Sequence, residues 1–224
     1  MGTSTIELGK RLEQLAVGQG GYFTAGQAMD VGYADSVHGY HVKNGDWVKV
    51  QRGIYRLAAV PEPREGELIA WSLWSRGRDD RPDAVFSHET ALALLGVVPL
   101  DLSVIHMTVP KSFRRNSDIP SRIVLHKEDL PMNAVQQIGC LLVTNVARTV
   151  KDVVDTCTNP KILDILKELA SPVPAMGLPD IGMAVAAQAV ESGPDRWEEA
   201  WMGDYKPRDS SFRSYDDAIN AGED

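Results

Sequence analysis

Hydrophobic positions recur at helical spacing near the start of the chain. Ile6, Leu8, Leu12, Leu15 and Ala16 share one face, and the run Gly-Gln-Gly-Gly at 18–21 ends the pattern. A short second helix is predicted after Thr24, because Gln27 three residues later completes a capping box, and Gly32 closes it. A third helix follows over about 34–43, with Val37, Tyr40 and His41 on one face and Asn44-Gly45 as its stop. The period then changes from helical to strand-like. Trp47–Gln51 and Ile54–Leu57 read as two strands around an Arg52-Gly53 turn. The order helix, short helix, glycine-bearing turn, helix, hairpin is that of a winged helix-turn-helix.

A Pro- and charge-rich boundary, Val60 to Glu67, comes next. Beyond it, Gly66–Gly77 and Ser87–Gly96 read as helices, the second with Ser87 as N-cap. Alternation over 102–109 predicts a strand, and 122–128 and 139–144 predict two more. Helical spacing returns through Val146, Val150, Val153 and Val154, and Asn159-Pro160 opens another helix. A further helix is expected from about Pro179 to Glu191. The fold class predicted is α+β: a winged helix-turn-helix over 1–60, a mixed α/β second domain with a helical C-terminal part over 64–192, and an acidic polar tail over 193–224.

Composition narrows the function classes. The chain of 224 residues is 43% hydrophobic and 24% charged, the balance of an ordinary globular protein. No apolar run approaches the roughly 18 residues of a membrane span, and residues 1–15 are amphipathic without the apolar core of a secretion signal. A cytoplasmic protein is therefore expected. Cys140 and Cys157 are the two cysteines. They form no CxxC pair and have no histidine nearby in sequence, so they are read as core thiols, and neither metal nor any other cofactor is expected.

Formal net charge is −8, but it is unevenly spread. Residues 1–60 carry six bases against five acids, whereas nine acids face four bases from Asp195 onward. An acidic whole therefore does not exclude double-stranded DNA as a partner of the N-terminal end. In a winged helix-turn-helix the second helix of the motif enters the major groove and the wing reaches the backbone. The candidate contacts are Thr24 and Gln27 at the first helix, Ser36, His38, His41 and Lys43 on the second, and Lys49, Gln51, Arg52 and Arg56 on the wing. Lys49, Arg52 and Arg56 suit phosphates, while Ser36 and His38 suit base edges. His41 fits the buried face equally well. A second basic patch, Lys111, Arg114 and Arg115, could meet DNA or a protein.

Catalysis finds no support in the residues. A magnesium nuclease of the PD-(D/E)xK type needs an acid-x-Lys after its first Asp. Pro82-Asp83 supplies only the first half, and His126–Asp129 has the order reversed. Ser87-His88-Glu89 holds nucleophile, base and acid types, but neighbours at a helix start point in different directions. The chain is not expected to be an enzyme.

The stretch from Gly20 to Leu57, with "RGIYRL" its most recognisable piece, resembles the N-terminal domain of the AbiEi family of abortive-infection antitoxins. "SHETALALLGV", "IHMTVPKSFRRN" and "VTNVARTVKDVVD" resemble that family's second domain, so the resemblance covers about 5–156. It implies a transcriptional regulator that represses its own toxin–antitoxin operon and opposes a nucleotidyltransferase-like toxin of the AbiEii type. Lys49, Arg52 and Arg56 match wing positions, and Arg148 and Asp152 match the "ARTVKD" piece. The second helix departs from the arginine-rich pattern of such proteins, since Lys43 is its one lysine or arginine; this favours a homodimer on DNA or help from the second domain. Two alternatives stay open: a protein-interaction module that neutralises its toxin by direct binding with little grip on DNA, and a nuclease-related protein.

Overall fold

A computed structural model describes residues 5–77, 80–115, 118–156 and 159–170. Cys157, the expected helix near 179–191 and the acidic tail lie outside the described residues.

Helix α1 (Thr5–Val17) buries Leu12 and Ala16 on the face set by its apolar spacing. The helix-turn-helix follows as α2 (Ala25–Val31) and α3 (Asp35–Asn44). The capping box forms as its spacing predicts. Thr24 Oγ1 accepts from the Gln27 amide at 3.1 Å, and Gln27 Oε1 accepts from the Thr24 amide at 2.9 Å. The wing strands are β2 (Trp47–Gln51) and β3 (Ile54–Leu57). A three-residue strand, β1 (Tyr22–Thr24), has no alternation long enough to register in the sequence, yet it pairs with β3 and gives the sheet order β1-β3-β2. Leu12, Ala16, Phe23, Ala28, Tyr33 and Trp47 form the core of this unit.

Gly32 closes α2 at φ 121°, and a Cβ there would stand 2.9 Å from Leu8 Cδ2 of α1. Backbone strain and overpacking therefore coincide. Gly32→Ala is expected to lower unfolding free energy by about 1–3 kcal/mol, read from the urea midpoint; an unchanged midpoint would contradict the tight α1–turn packing.

Past the linker, α4 (Gly66–Trp74) leads into a five-stranded sheet built from β4 (Val85–Phe86), β5 (Ile105–Val109), β6 (Ile123–Lys127), β7 (Val135–Ile138) and β8 (Leu141–Thr144), in the order β6-β5-β4-β8-β7. β5 runs parallel to β6 and β4 parallel to β8, with the other pairs antiparallel. Helices α5 (His88–Leu94), α6 (Val146–Thr156) and α7 (Pro160–Ala170) share a smaller core through Leu92, Val153 and Leu166. Asn145 caps α6 by accepting from the Arg148 amide at 2.9 Å. Ser87 is the N-cap residue of α5 but makes no side-chain cap bond. Its hydroxyl accepts from Thr108 Oγ1 and meets His88 Nδ1, both at 2.9 Å, which corrects the cap expected from sequence. Cys140 is half-buried, and burial pushes its thiol up to about 11, so it is held as an unreactive thiol.

The two sheets share packing. Tyr22 of β1 and Ile54 of β3 are buried in the cluster formed by α4 and the five-stranded sheet. Tyr22 Oη donates to Glu62 at 3.2 Å, and burial pushes its phenol up to about 12. Gln51 Nε2 donates to the Ala70 carbonyl of α4 at 3.2 Å. At the first residue of α4, Gly66 lies so close to Tyr22 Oη that a Cβ would collide with it.

Candidate nucleic-acid interface

The orientation of α3 decides what the protein can present. His38 and Val42 turn inward with His41, at the i, i+3, i+4 spacing of one helix face. His38 is 2% exposed, its ring 5.3 Å from Trp47 and 5.7 Å from Tyr55 between centroids. Its expected role at a base edge is therefore corrected: the wing's aromatic residues take its ring into the core. His41 stacks on Trp47 at 4.7 Å and its Nδ1 lies 3.0 Å from Asp46 Oδ2, a contact that holds the Asp46 carboxyl below the usual range. Of its two sequence readings, the buried-face one is the better description.

The opposite face carries Ser36, Val37, Tyr40 and Lys43, all exposed. Tyr40 is 64% exposed, although its apolar character suggested the buried side. Ser36, Tyr40 and Lys43 follow i, i+4, i+7 spacing, so they form one outward stripe. This is the surface with the shape to enter a groove, and Tyr40 on it was not among the candidates read from the sequence. Its ring offers an apolar surface to a thymine methyl, and its hydroxyl can both donate and accept.

The wing divides according to strand position. Edge strand β2 exposes Lys49, and the turn exposes Arg52. Among the described residues Lys43, Lys49 and Arg52 form no salt bridge or side-chain hydrogen bond, so their charges face solvent. Arg56 stands on the central strand β3 and is committed elsewhere. Its side chain is 13% exposed, donates to the Leu57 and Val60 carbonyls, and lies 3.8 Å from Glu62. It pins the linker, so it does not face solvent as Lys49 and Arg52 do. Gln27 is likewise buried, bonded to Gln19 and Asp80 besides Thr24. Thr24 is occupied by the cap, and Gln51 by α4.

The second basic patch lies on the loop after β5. Lys111, Arg114 and Arg115 are exposed, and the two arginines line an open cleft of about 490 Å³ together with Arg76, Asp83 and Phe113. Arg114 donates to the Lys111 and Phe113 carbonyls. Arg115 donates to the Trp74 and Arg76 carbonyls, with its guanidinium 5.5 Å from the Trp74 ring centre. These bonds hold both guanidinium groups in the cleft wall.

A separate polar centre joins elements far apart in sequence. His88 at the start of α5, His106 on β5 and His126 on β6 stack, with His88 and His126 centroids 3.7 Å apart at 15°. Beside them Arg148 of α6 donates from Nε to Asp152 at 2.7 Å and through both terminal nitrogens to Glu128 at 2.8 and 2.6 Å. Arg148 holds the Glu128 carboxyl below the usual range, while burial raises that of Asp152. The sequence reading weighed His88 only with its immediate neighbours.

A capped helix, a glycine turn and an exposed second helix beside a two-stranded basic wing define a winged helix-turn-helix DNA-binding unit. Residues 10–58, from α1 through the wing, match the model of a family described as transcriptional regulator, AbiEi antitoxin. The resemblance carried by the wing and the helix-turn-helix is thus supported by a family match over the same residues. No curated protein is similar enough to the chain to count as a match. Among the described residues no helix is long and apolar enough to cross a membrane.

Proposed function

We propose that this chain is a cytoplasmic DNA-binding antitoxin that represses its own operon and opposes a nucleotidyltransferase-like toxin of the AbiEii type. The observation that carries the DNA reading is the outward stripe of Ser36, Tyr40 and Lys43 beside a wing that exposes Lys49 and Arg52. In this reading Tyr40 and Ser36 meet base edges, and Lys43, Lys49 and Arg52 meet phosphates. With three free cations per reading unit, a homodimer on two half-sites supplies the remaining grip. The role is regulatory rather than catalytic.

The test is fluorescence anisotropy of the full chain on duplex DNA from upstream of its own gene, against the same DNA scrambled. Wild type should prefer the native duplex. Tyr40→Ala should reduce that preference by about tenfold or more, the effect of losing one base contact. Equal binding to both duplexes by wild type would overturn the operator reading.

A second reading, direct toxin binding with little DNA contact, is favoured by the apolar side chains that share this region. Val37 and Tyr40 on α3 and Val48 and Val50 on β2 are all exposed, and solvent-facing aliphatic residues suit a protein partner better than a phosphate backbone. Co-purification with the co-expressed toxin that is lost on Val48→Lys, together with no preference of wild type for the native duplex, would support it.

A further inference from the structure

We propose that His88, His106 and His126 form a three-histidine site for a divalent transition metal of zinc's class, with one coordination position left to water. Each residue offers one ring nitrogen, and the three nitrogens lie within 4.8 Å of one another. The pair His106 Nδ1 and His126 Nε2 is already at 3.0 Å. Zinc–nitrogen bonds of about 2.0 Å in a tetrahedral site put nitrogens roughly 3.3 Å apart, so the spacing is close to that of a site, and the stacked rings must turn out of their stack for the three lone pairs to converge on one ion.

The surroundings are organised toward ligation. Glu89 Oε2 lies 3.1 Å from His106 Nε2. Its oxygen accepts a hydrogen bond from that nitrogen, which fixes the tautomer with Nδ1 as a lone pair facing His126. This is the carboxylate–histidine arrangement that orients metal-binding imidazoles. Ser87 Oγ at 2.9 Å occupies His88 Nδ1 and leaves Nε2 to the metal. His88 itself sits at φ 53°, a left-handed conformation that a non-glycine residue adopts at a cost of about 1 kcal/mol or more. That turn brings its ring onto the two histidines of the sheet. Burial lowers the proton affinity of all three imidazoles, His88 most strongly, to about 4.

Charge balance also favours a dication. Glu89, Glu128 and Asp152 surround the cluster, and Arg148, already paired with Glu128 and Asp152, is the guanidinium beside them. The site is open on one side: the His106 side chain is 18% exposed and that of Glu89 29%. Three protein ligands with solvent access leave the fourth position to water.

The experiment uses the full, tag-free chain, stripped with a chelator and titrated with zinc chloride against a chromophoric competitor. One zinc per chain with micromolar or tighter affinity is expected, as is the visible absorption of a four-coordinate site when cobalt replaces zinc. His106→Gln and His126→Gln should abolish stoichiometric binding, and Glu89→Gln should weaken it by about 10–100-fold. Should a histidine variant fail to fold, imidazole nitrogen NMR on wild type decides the question. Zinc should shift three of the five histidines and leave His38 and His41 in place. Absence of stoichiometric binding by folded wild type, or shifts at His41 instead, would overturn the proposal.

Discussion

Replacing Lys43, Lys49 and Arg52 together with alanine is expected to weaken binding to the operator by about a thousandfold at low salt. Each charge-assisted contact to a phosphate contributes about 1.5 kcal/mol or more, roughly tenfold in affinity. Each lost contact also lowers the steepness of the salt dependence by about 0.9, so the triple variant should flatten the plot of log affinity against log salt by about 2.7 for each chain bound. The slope is the sharper readout, because a folding defect would remove binding without altering the slope of the remaining active fraction. None of the three residues forms a salt bridge or side-chain hydrogen bond among the described residues, so the variant should keep its thermal midpoint. Arg56→Ala is the informative contrast. Its guanidinium is tied to Leu57, Val60 and Glu62, so it should lower the melting temperature and leave the salt slope nearly unchanged. Equal salt slopes for wild type and the triple variant would mean that these cations do not meet phosphates.

The second large effect belongs to Arg148→Ala. Arg148 makes three hydrogen bonds to two carboxylates, and Asp152 is 5% exposed with Oδ2 lacking a hydrogen-bond partner. Removing the guanidinium leaves a buried carboxylate uncompensated, which costs about 3–5 kcal/mol. For a domain of this size the melting temperature should fall by about 10 °C. Arg148→Lys should recover only part of the loss, since an ammonium cannot serve Asp152 and both oxygens of Glu128 at once. A fall of less than 2 °C for the alanine variant would show that the network contributes little to stability. The resemblance that linked Arg148 and Asp152 to a shared motif thus acquires a physical reading, in which the pair braces α6 against the end of β6.

Much of the reading unit is legible in the sequence because local chemistry fixes it. The capping box needs only Thr24 and Gln27, and the wing needs only alternation and a glycine. Both wing strands end at the residues that the pattern indicates. The facing of α3 is a different matter. Tyr40 and His38 are both amphipathic, Gly39 between them adds no bias, and the choice is made by Trp47 and Tyr55, which arrive from the wing. Tertiary packing thus exchanges the roles of the two residues. Arg56 turns toward the linker instead of solvent for a related reason. Sequence shows that it is on the hairpin but not that β1 joins the sheet and makes its strand the middle one. The histidine cluster was invisible because its members lie on α5, β5 and β6. Two-residue β4 holds β5 to the rest of the sheet, and it is too short to carry a period of its own.

Tyr22 and Ile54 belong to the reading unit by sequence and to the larger core by packing. Besides its own core, the winged helix-turn-helix therefore shares buried side chains with the elements past the linker. A fragment cut near residue 60 would leave a phenol and an aliphatic side chain in water, and it would lose the α4 carbonyl that anchors the wing through Gln51. The seam between the two sheets thus ties the strands of the wing to α4 in one packed unit.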